Sequence, residues 1–218
     1  MLVTRKIELW IDEPDKDKFI EKWKYIRQLN RDVFMAANMT ISNSYFNDAF
    51  VDRIMLTDEE IKKKAETIAS EIKQISEKIK NEKDADVKMK IKENRGKMYK
   101  KQNGLIKEAR EKMQELYLRS ESTEIWKIIK KNFPNMPSYI SSSIVTRSIQ
   151  DYKNDWIEVK QGRRAIRNYK NNIPIPFMKS SMRLEKNENE IYMKWVNDIT
   201  FKMFFGRDKS NNKIIINR

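Results

Sequence analysis

Between Ile61 and Ile79 the chain places Ile61, Ala65, Ile68, Ile72, Ile75 and Ile79 at strictly alternating steps of four and three residues. That spacing is a heptad seam, the narrow apolar stripe of one helix packed along another. A strand cannot use it, because a strand turns every second residue to the same side. Thr57 and Glu60 stand three apart just before the seam, the spacing of a capping box, so a helix beginning there is predicted. The polar turn Asn81 to Asp86 interrupts the pattern, and Val87, Ile91, Met98, Leu105, Ala109 and Leu116 then resume a looser helical stripe. Two antiparallel helices forming a long hairpin are the simplest fold for this pair. From Asp58 to Leu118 they carry seventeen basic and thirteen acidic residues in mixed order, which reads as the solvated surface of a coiled coil.

Shorter patterns lie on both sides of the hairpin. Ile7, Leu9 and Ile11 alternate with Lys6 and Glu8 as in a strand, and Pro14 ends it. Asp15 can cap a following helix whose apolar stripe is Phe19, Trp23, Ile26, Val33, Ala37 and Ile41, with Asn30 set in the same stripe. Ser120 to Thr123 precede a short helix containing Ile125, Trp126 and Ile129, which ends near Phe133 and Pro134. After Pro137, Ile140, Ile144, Val145, Ile149, Tyr152 and Trp156 mark one face of another helix, leaving Arg147 and Lys153 outside it, and Gly162 breaks the pattern.

The last third alternates in twos. Met182 and Leu184, then Ile191, Met193 and Trp195, then Ile199, Phe201, Met203 and Phe205 read as strands, with polar turns at Asn187 to Asn189 and at Asn197-Asp198. A hairpin alone is only marginally stable, so Ile7, Leu9 and Ile11 are expected to join the same sheet. The predicted fold class is therefore α+β: a mainly helical region with a long helical hairpin, inserted into a small antiparallel β domain. The expected spans are 1–14 for the first strand, 15–156 for the helical region and 157–218 for a basic connector with the remaining strands.

Composition closes off several chemistries. The 218 residues include neither Cys nor His, which excludes a thiol nucleophile, an imidazole base and a thiolate or imidazole zinc site. The 32 carboxylates are scattered among lysines, so neither a catalytic set nor a cofactor is expected. There is no apolar run long enough to span a bilayer and no signal-peptide pattern at the start, which leads to the expectation of a cytoplasmic protein with no membrane partner.

Charge points to a polyanion. The chain holds 46 basic against 32 acidic residues, a formal net charge of +14. Within Ile157 to Arg183, Lys160, Arg163, Arg164, Arg167, Lys170, Lys179 and Arg183 accompany the single acid Glu158, and nothing nearby is expected to neutralise them. Trp156, Tyr169 and Phe177 are interleaved with these cations, the mixture that lets a surface hold phosphates while bases stack on its rings. A solvated basic surface around core aromatics is the competing interpretation.

A family likeness adds to this reading. The stretch Pro137-Ser138-Tyr139-Ile140, then Gly162-Arg163-Arg164, then Asn172-Ile173-Pro174-Ile175-Pro176-Phe177, and finally Phe205-Gly206-Arg207-Asp208-Lys209-Ser210-Asn211-Asn212 resembles an order found in miniature type V CRISPR effectors, most readily those of subtype V-F. The opening strand, with the helix bearing Trp23, Arg27, Asn30 and Arg31, is also similar to the start of these proteins and of their TnpB relatives. The resemblance implies a helical recognition lobe set into a wedge domain of strands, which grips guide-RNA scaffold and an RNA–DNA heteroduplex. The family's RuvC nuclease domain has no counterpart in these residues, so a non-catalytic RNA-binding protein is expected. It would be either a natural decoy that inhibits an intact CRISPR effector or pairs with one, or part of a larger nuclease. Pairing with a second copy through the apolar seam is a further expectation, and a coiled-coil interaction protein without nucleic acid is the rival from a different class. By likeness and local charge, the expected nucleic-acid contacts are Arg27, Asn30, Arg31, Arg147, Arg163, Arg164, Arg167, Tyr169, Lys170 and Arg207.

Overall fold

The computed structural model describes residues 7–117, 121–170, 173–187 and 190–204. The described chain runs β1 (Glu8–Ile11), α1 (Lys16–Thr57), α2 (Glu59–Asn81), α3 (Ala85–Tyr117), α4 (Glu121–Asn132), α5 (Ser138–Lys160), β2 (Arg183–Asn187), β3 (Glu190–Lys194) and β4 (Thr200–Phe204). The fold is α+β and mainly helical. Its four strands form one antiparallel sheet in the order β1-β4-β3-β2, so the first strand pairs with the last and every helix lies between them in sequence. The chain divides into two compact units, Met1–Ile41 with Ile128–Arg218, and Ser42–Lys127. Both divisions fall inside helices, α1 and α4, and cut across the expected 15–156 span.

In the first unit, β1 places Leu9 opposite Met203 and Ile11 opposite Phe201, which joins the N-terminal strand to the sheet as its alternation predicts. Asn197 and Asp198 both adopt φ of 53°, and the Ile199 amide donates to Val196 O at 3.2 Å. Two left-handed residues in succession make a type I′ turn, whose twist suits a hairpin and which Asn and Asp tolerate better than most residues. Lys194 pairs with Thr200, so Trp195 and Val196 share Ile199 as partner, a bulge next to the turn. Trp195 is buried and its ring nitrogen donates to Tyr139 Oη at 2.6 Å, which fixes the start of α5 to the sheet. Asp15 caps α1 as expected, its carboxylate accepting from the amides of Asp17 and Lys18 at 2.9 and 3.1 Å. The predicted stripe of α1 is only partly covered. Val33, Ala37 and Ile41 are buried, while Phe19 and Trp23 stay 36% and 41% exposed. Burial on this helix begins at Leu29, so the first turns continue the apolar face without using it among the described residues.

The second unit contains the hairpin. Asp58, one residue beyond the expected cap, is the N-cap of α2 and accepts from the Glu60 and Ile61 amides. Thr57 instead ends α1 and donates its hydroxyl to Arg53 O. A carboxylate at the next position offers the stronger acceptor, which moves the boundary. Ile61 and Ile79 are buried and Ala65, Ile68, Ile72 and Ile75 half-buried on the seam. Lys112 to Asp58 at 2.6 Å and Lys64 to Glu108 at 3.4 Å set the antiparallel register with α3. Ile61 packs into a cluster with Val51, Ile54, Ala109 and Met113, a burial worth about 2–3 kcal/mol for that side chain. Val87 is 42% exposed and leaves the α3 stripe, and Leu116 lies outside the described side chains.

Candidate nucleic-acid interface

The basic connector is fastened to α5 by acids that precede it. Gly162 takes φ of +68°, the Gly162 amide donates to Val159 O and the Arg163 amide to Glu158 O, so α5 ends in a Schellman turn. The chain then comes back against its own helix. Asp155, with its side chain 5% exposed, accepts from Arg164 at 2.6 Å and from Arg167 at 2.7 Å. Tyr169 donates its hydroxyl to Asp151 at 2.6 Å, while its amide and carbonyl bond the Asn38 side chain at 2.8 and 3.1 Å. Hydrogen bonding from Arg167, then the charges of Arg167 and Arg164, hold the Asp155 carboxyl below its ordinary range against the opposing effect of burial. Burial first, and the Asp151 carboxylate second, push the Tyr169 hydroxyl up to about 12.

This overturns the expectation that nothing neutralises the cations after Ile157. Asp151 and Asp155 lie one helical turn apart on the same face, just outside that stretch, and the reversal at Gly162 carries Arg164 and Arg167 back to them. Arg164 and Arg167 are thus committed to the fold, as is Tyr169. Asn30 is committed too, donating to Ile173 O at 3.2 Å. Arg163, Lys170, Arg147, Arg27 and Arg31 remain exposed, and among the described residues they form no ion pair. Arg207 lies outside the described residues, as do Asn172 and the stretch from Phe205 to Asn212.

Arg147 opens onto a groove of about 570 Å³ along α5, lined also by Tyr139, Ser142, Ser143, Thr146, Gln150, Asp151 and Met178. Helical spacing makes this face: Ser143, Arg147 and Asp151 recur every four residues, with Thr146 and Gln150 on the adjoining ridge. A guanidinium, four hydroxyls and a carboxamide supply donors of the kind that hold phosphate oxygens. The one acid in the lining, Asp151, is already occupied by Tyr169.

Two aromatic surfaces depart from the sequence expectations, which place Arg27 and Arg31 at a nucleic-acid contact but Phe19 and Trp23 on a buried stripe. On α1, Phe19, Trp23, Arg27 and Arg31 stand at steps of four and form an exposed ladder, with the Phe19 and Trp23 rings 6.5 Å apart and the Arg27 guanidinium 5.9 Å from the Trp23 centroid. The step of four is legible in the sequence, but spacing alone does not tell an exposed row of rings from a buried one. On the sheet, Trp10 is 58% exposed, 5.3 Å from the Phe204 ring, on the face opposite Leu9 and Ile11. Lys202 sits between Trp10 and Tyr192 across three strands, and Glu190 bonds both Lys202 and Tyr192.

Comparison with known proteins finds no family model and no curated protein that matches this chain. The likeness to type V effectors therefore rests on the residues quoted for it. Among the described residues no helix is long and apolar enough to cross a membrane.

Proposed function

We propose that this chain is a non-catalytic RNA-binding protein, with its contact surface in the first unit along α5. The observation that carries the reading is the groove around Arg147, whose lining includes a guanidinium, four hydroxyls and a carboxamide and whose one carboxylate, Asp151, is occupied by a tyrosine. The exposed cations Arg163 and Lys170 on the attached connector, and Arg27 and Arg31 on α1, extend the positive surface. Grip through backbone and shape needs no base-specific side chains, which suits a guide-type RNA whose sequence is read by pairing. The family likeness narrows the RNA to a guide scaffold or its heteroduplex, and an intact CRISPR effector is the partner of a decoy form. The rival interaction protein would use the seam of α2, where α3 buries Ile61 and Ile79 and leaves Ala65, Ile68, Ile72 and Ile75 half-buried.

The reading is tested with the full chain and a labelled RNA. Replacing both Arg147 and Gln150 with Ala leaves the fold intact, because both side chains are exposed. It should weaken binding and lower the slope of log affinity against log salt by about 1, one phosphate contact. An unchanged slope and affinity would remove the site. Purification from cells without nuclease then names the partner. A repeat-derived RNA supports the guide pathway, a recovered effector supports the decoy, and neither supports the interaction protein.

A further inference from the structure

At its start α1 turns rings and unpaired cations to the same side. Each step of four along Phe19, Trp23, Arg27 and Arg31 advances about 6 Å and turns about 40°, so the row climbs the helix as one continuous band. Lys16 and Ile20 fall within that band, and both are exposed. The acids of these turns stand elsewhere: Asp17, Glu21 and Asp32 lie about a third of a turn or more round the helix from Trp23. Glu13 is paired with Lys22, and Asp15 is occupied as the cap. Among the described residues Lys16, Arg27 and Arg31 form no ion pair.

The fold uses the continuation of this band and leaves its beginning open. Asn30 stands two turns beyond Trp23 on the same side of α1, and there it donates to Ile173 O. Asn38 stands two turns beyond Arg31 and holds the backbone of Tyr169. The connector therefore lies along α1 from Asn38 to Asn30, which keeps the exposed Lys170 on the side where the cations of the band end. Short of that crossing, the rings of Phe19 and Trp23 stay exposed among the described residues.

We infer that this band of α1 holds an unpaired stretch of the bound RNA, with bases stacked on Trp23 and Phe19 and the phosphates that follow them on Arg27 and Arg31. The inference rests on the RNA-binding reading and adds to the α5 groove a contact of different chemistry. An exposed ring accepts any base, and a planar guanidinium beside it takes the phosphate oxygens. Arg27 already stands against Trp23, its guanidinium 5.9 Å from the ring centroid, so a base on that ring brings its phosphate within reach. A duplex does not fit. Its bases repeat about every 3.4 Å along one strand, whereas the two rings are 6.5 Å apart and inclined at 72°. Rings so placed receive bases splayed away from each other, as in a single strand. A lipid surface would need the apolar face to continue, but Phe19, Ile20 and Trp23 span little more than one turn before arginines replace them.

The test uses the full chain, a short oligouridine, an abasic strand of the same length and a paired RNA duplex, with binding followed by fluorescence anisotropy over a salt series. Trp23→Ala should weaken the uridine strand about tenfold and leave the abasic strand and the duplex within about twofold, since it removes only a base contact. Trp23→Phe keeps a ring and should restore most of that affinity. Arg27→Ala with Arg31→Ala should weaken the uridine and abasic strands alike and flatten the salt slope by about 1.4, two phosphate contacts on a single strand. Equal loss on uridine and abasic strands with Trp23→Ala would make the ring a structural residue and overturn the inference, as would unchanged affinity for both. Binding to phosphatidylserine vesicles that Trp23→Ala abolishes, with RNA binding intact, would assign the band to a lipid surface and overturn it too. A native chain that binds none of the three RNAs defeats the RNA-binding reading as a whole. RNA binding that needs Arg147 but ignores Trp23 defeats the α1 contact alone.

Discussion

Asp155 makes the connector part of the folded body. Removing it with Asp155→Ala leaves Arg164 and Arg167, which are 48% and 33% exposed and can be hydrated, so the cost should be about 1–2 kcal/mol. Removing both partners with Arg164→Ala and Arg167→Ala strands a buried carboxylate and should cost more, about 3 kcal/mol. Urea unfolding of the two variants checks the order, and equal costs would contradict the clamp. Because the folded carboxyl titrates below its ordinary 3.8, its contribution is present above that value and is lost as the pH falls beneath it. The stability difference between the native chain and Asp155→Asn should therefore shrink below about pH 4. Tyr169 works in the opposite direction. Its hydroxyl is raised from 10.0 to about 12, so its contribution is complete below 10 and disappears as the pH rises through 12. Tyr169→Phe should remove one late-ionising tyrosine from the alkaline absorbance titration. None of this was legible from local charge, since the acids belong to α5 and the bases to the chain after its reversal. Only the positive φ at Gly162 brings them together, and the sequence showed that glycine merely as a break.

At the level of elements, periodicity was a reliable guide where a partner helix covers the stripe and a poor one where it does not. The seam from Ile61 to Ile79 was legible because heptad spacing has one structural use, and α3 fulfils it. Phe19 and Trp23 obey the same rule on α1 yet remain exposed, because a stripe records what a helix offers and not what meets it. Mutation should expose gradation along the seam. Ile61→Ala, inside the Val51, Ile54, Ala109 and Met113 cluster, should cost about 3 kcal/mol, and Ile68→Ala, half-buried beyond it, about 1 kcal/mol, both read by urea midpoint. Gly162→Ala should destabilise by about 1 kcal/mol although space is open around it, since the left-handed backbone and not contact excludes a side chain there. Proteolysis of the connector should accelerate in that variant.

For the whole molecule, the order of strand, helices and strands was readable, because alternation at the two ends of the chain implied a shared sheet. The division into Met1–Ile41 with Ile128–Arg218, and Ser42–Lys127, was not, since both boundaries pass through unbroken helices and leave no change of composition to mark them. The pairing of Glu8 with Phe204 and of Ile11 with Phe201 has a bearing on biosynthesis. The α2–α3 hairpin closes on itself over a short stretch and can fold while the ribosome is still at work. β1, made before all five helices, has nothing to pair with until β4 has followed them. Any product released before Thr200 would keep its hairpin but leave that opening segment bare, so early termination should yield aggregates and not a smaller working protein.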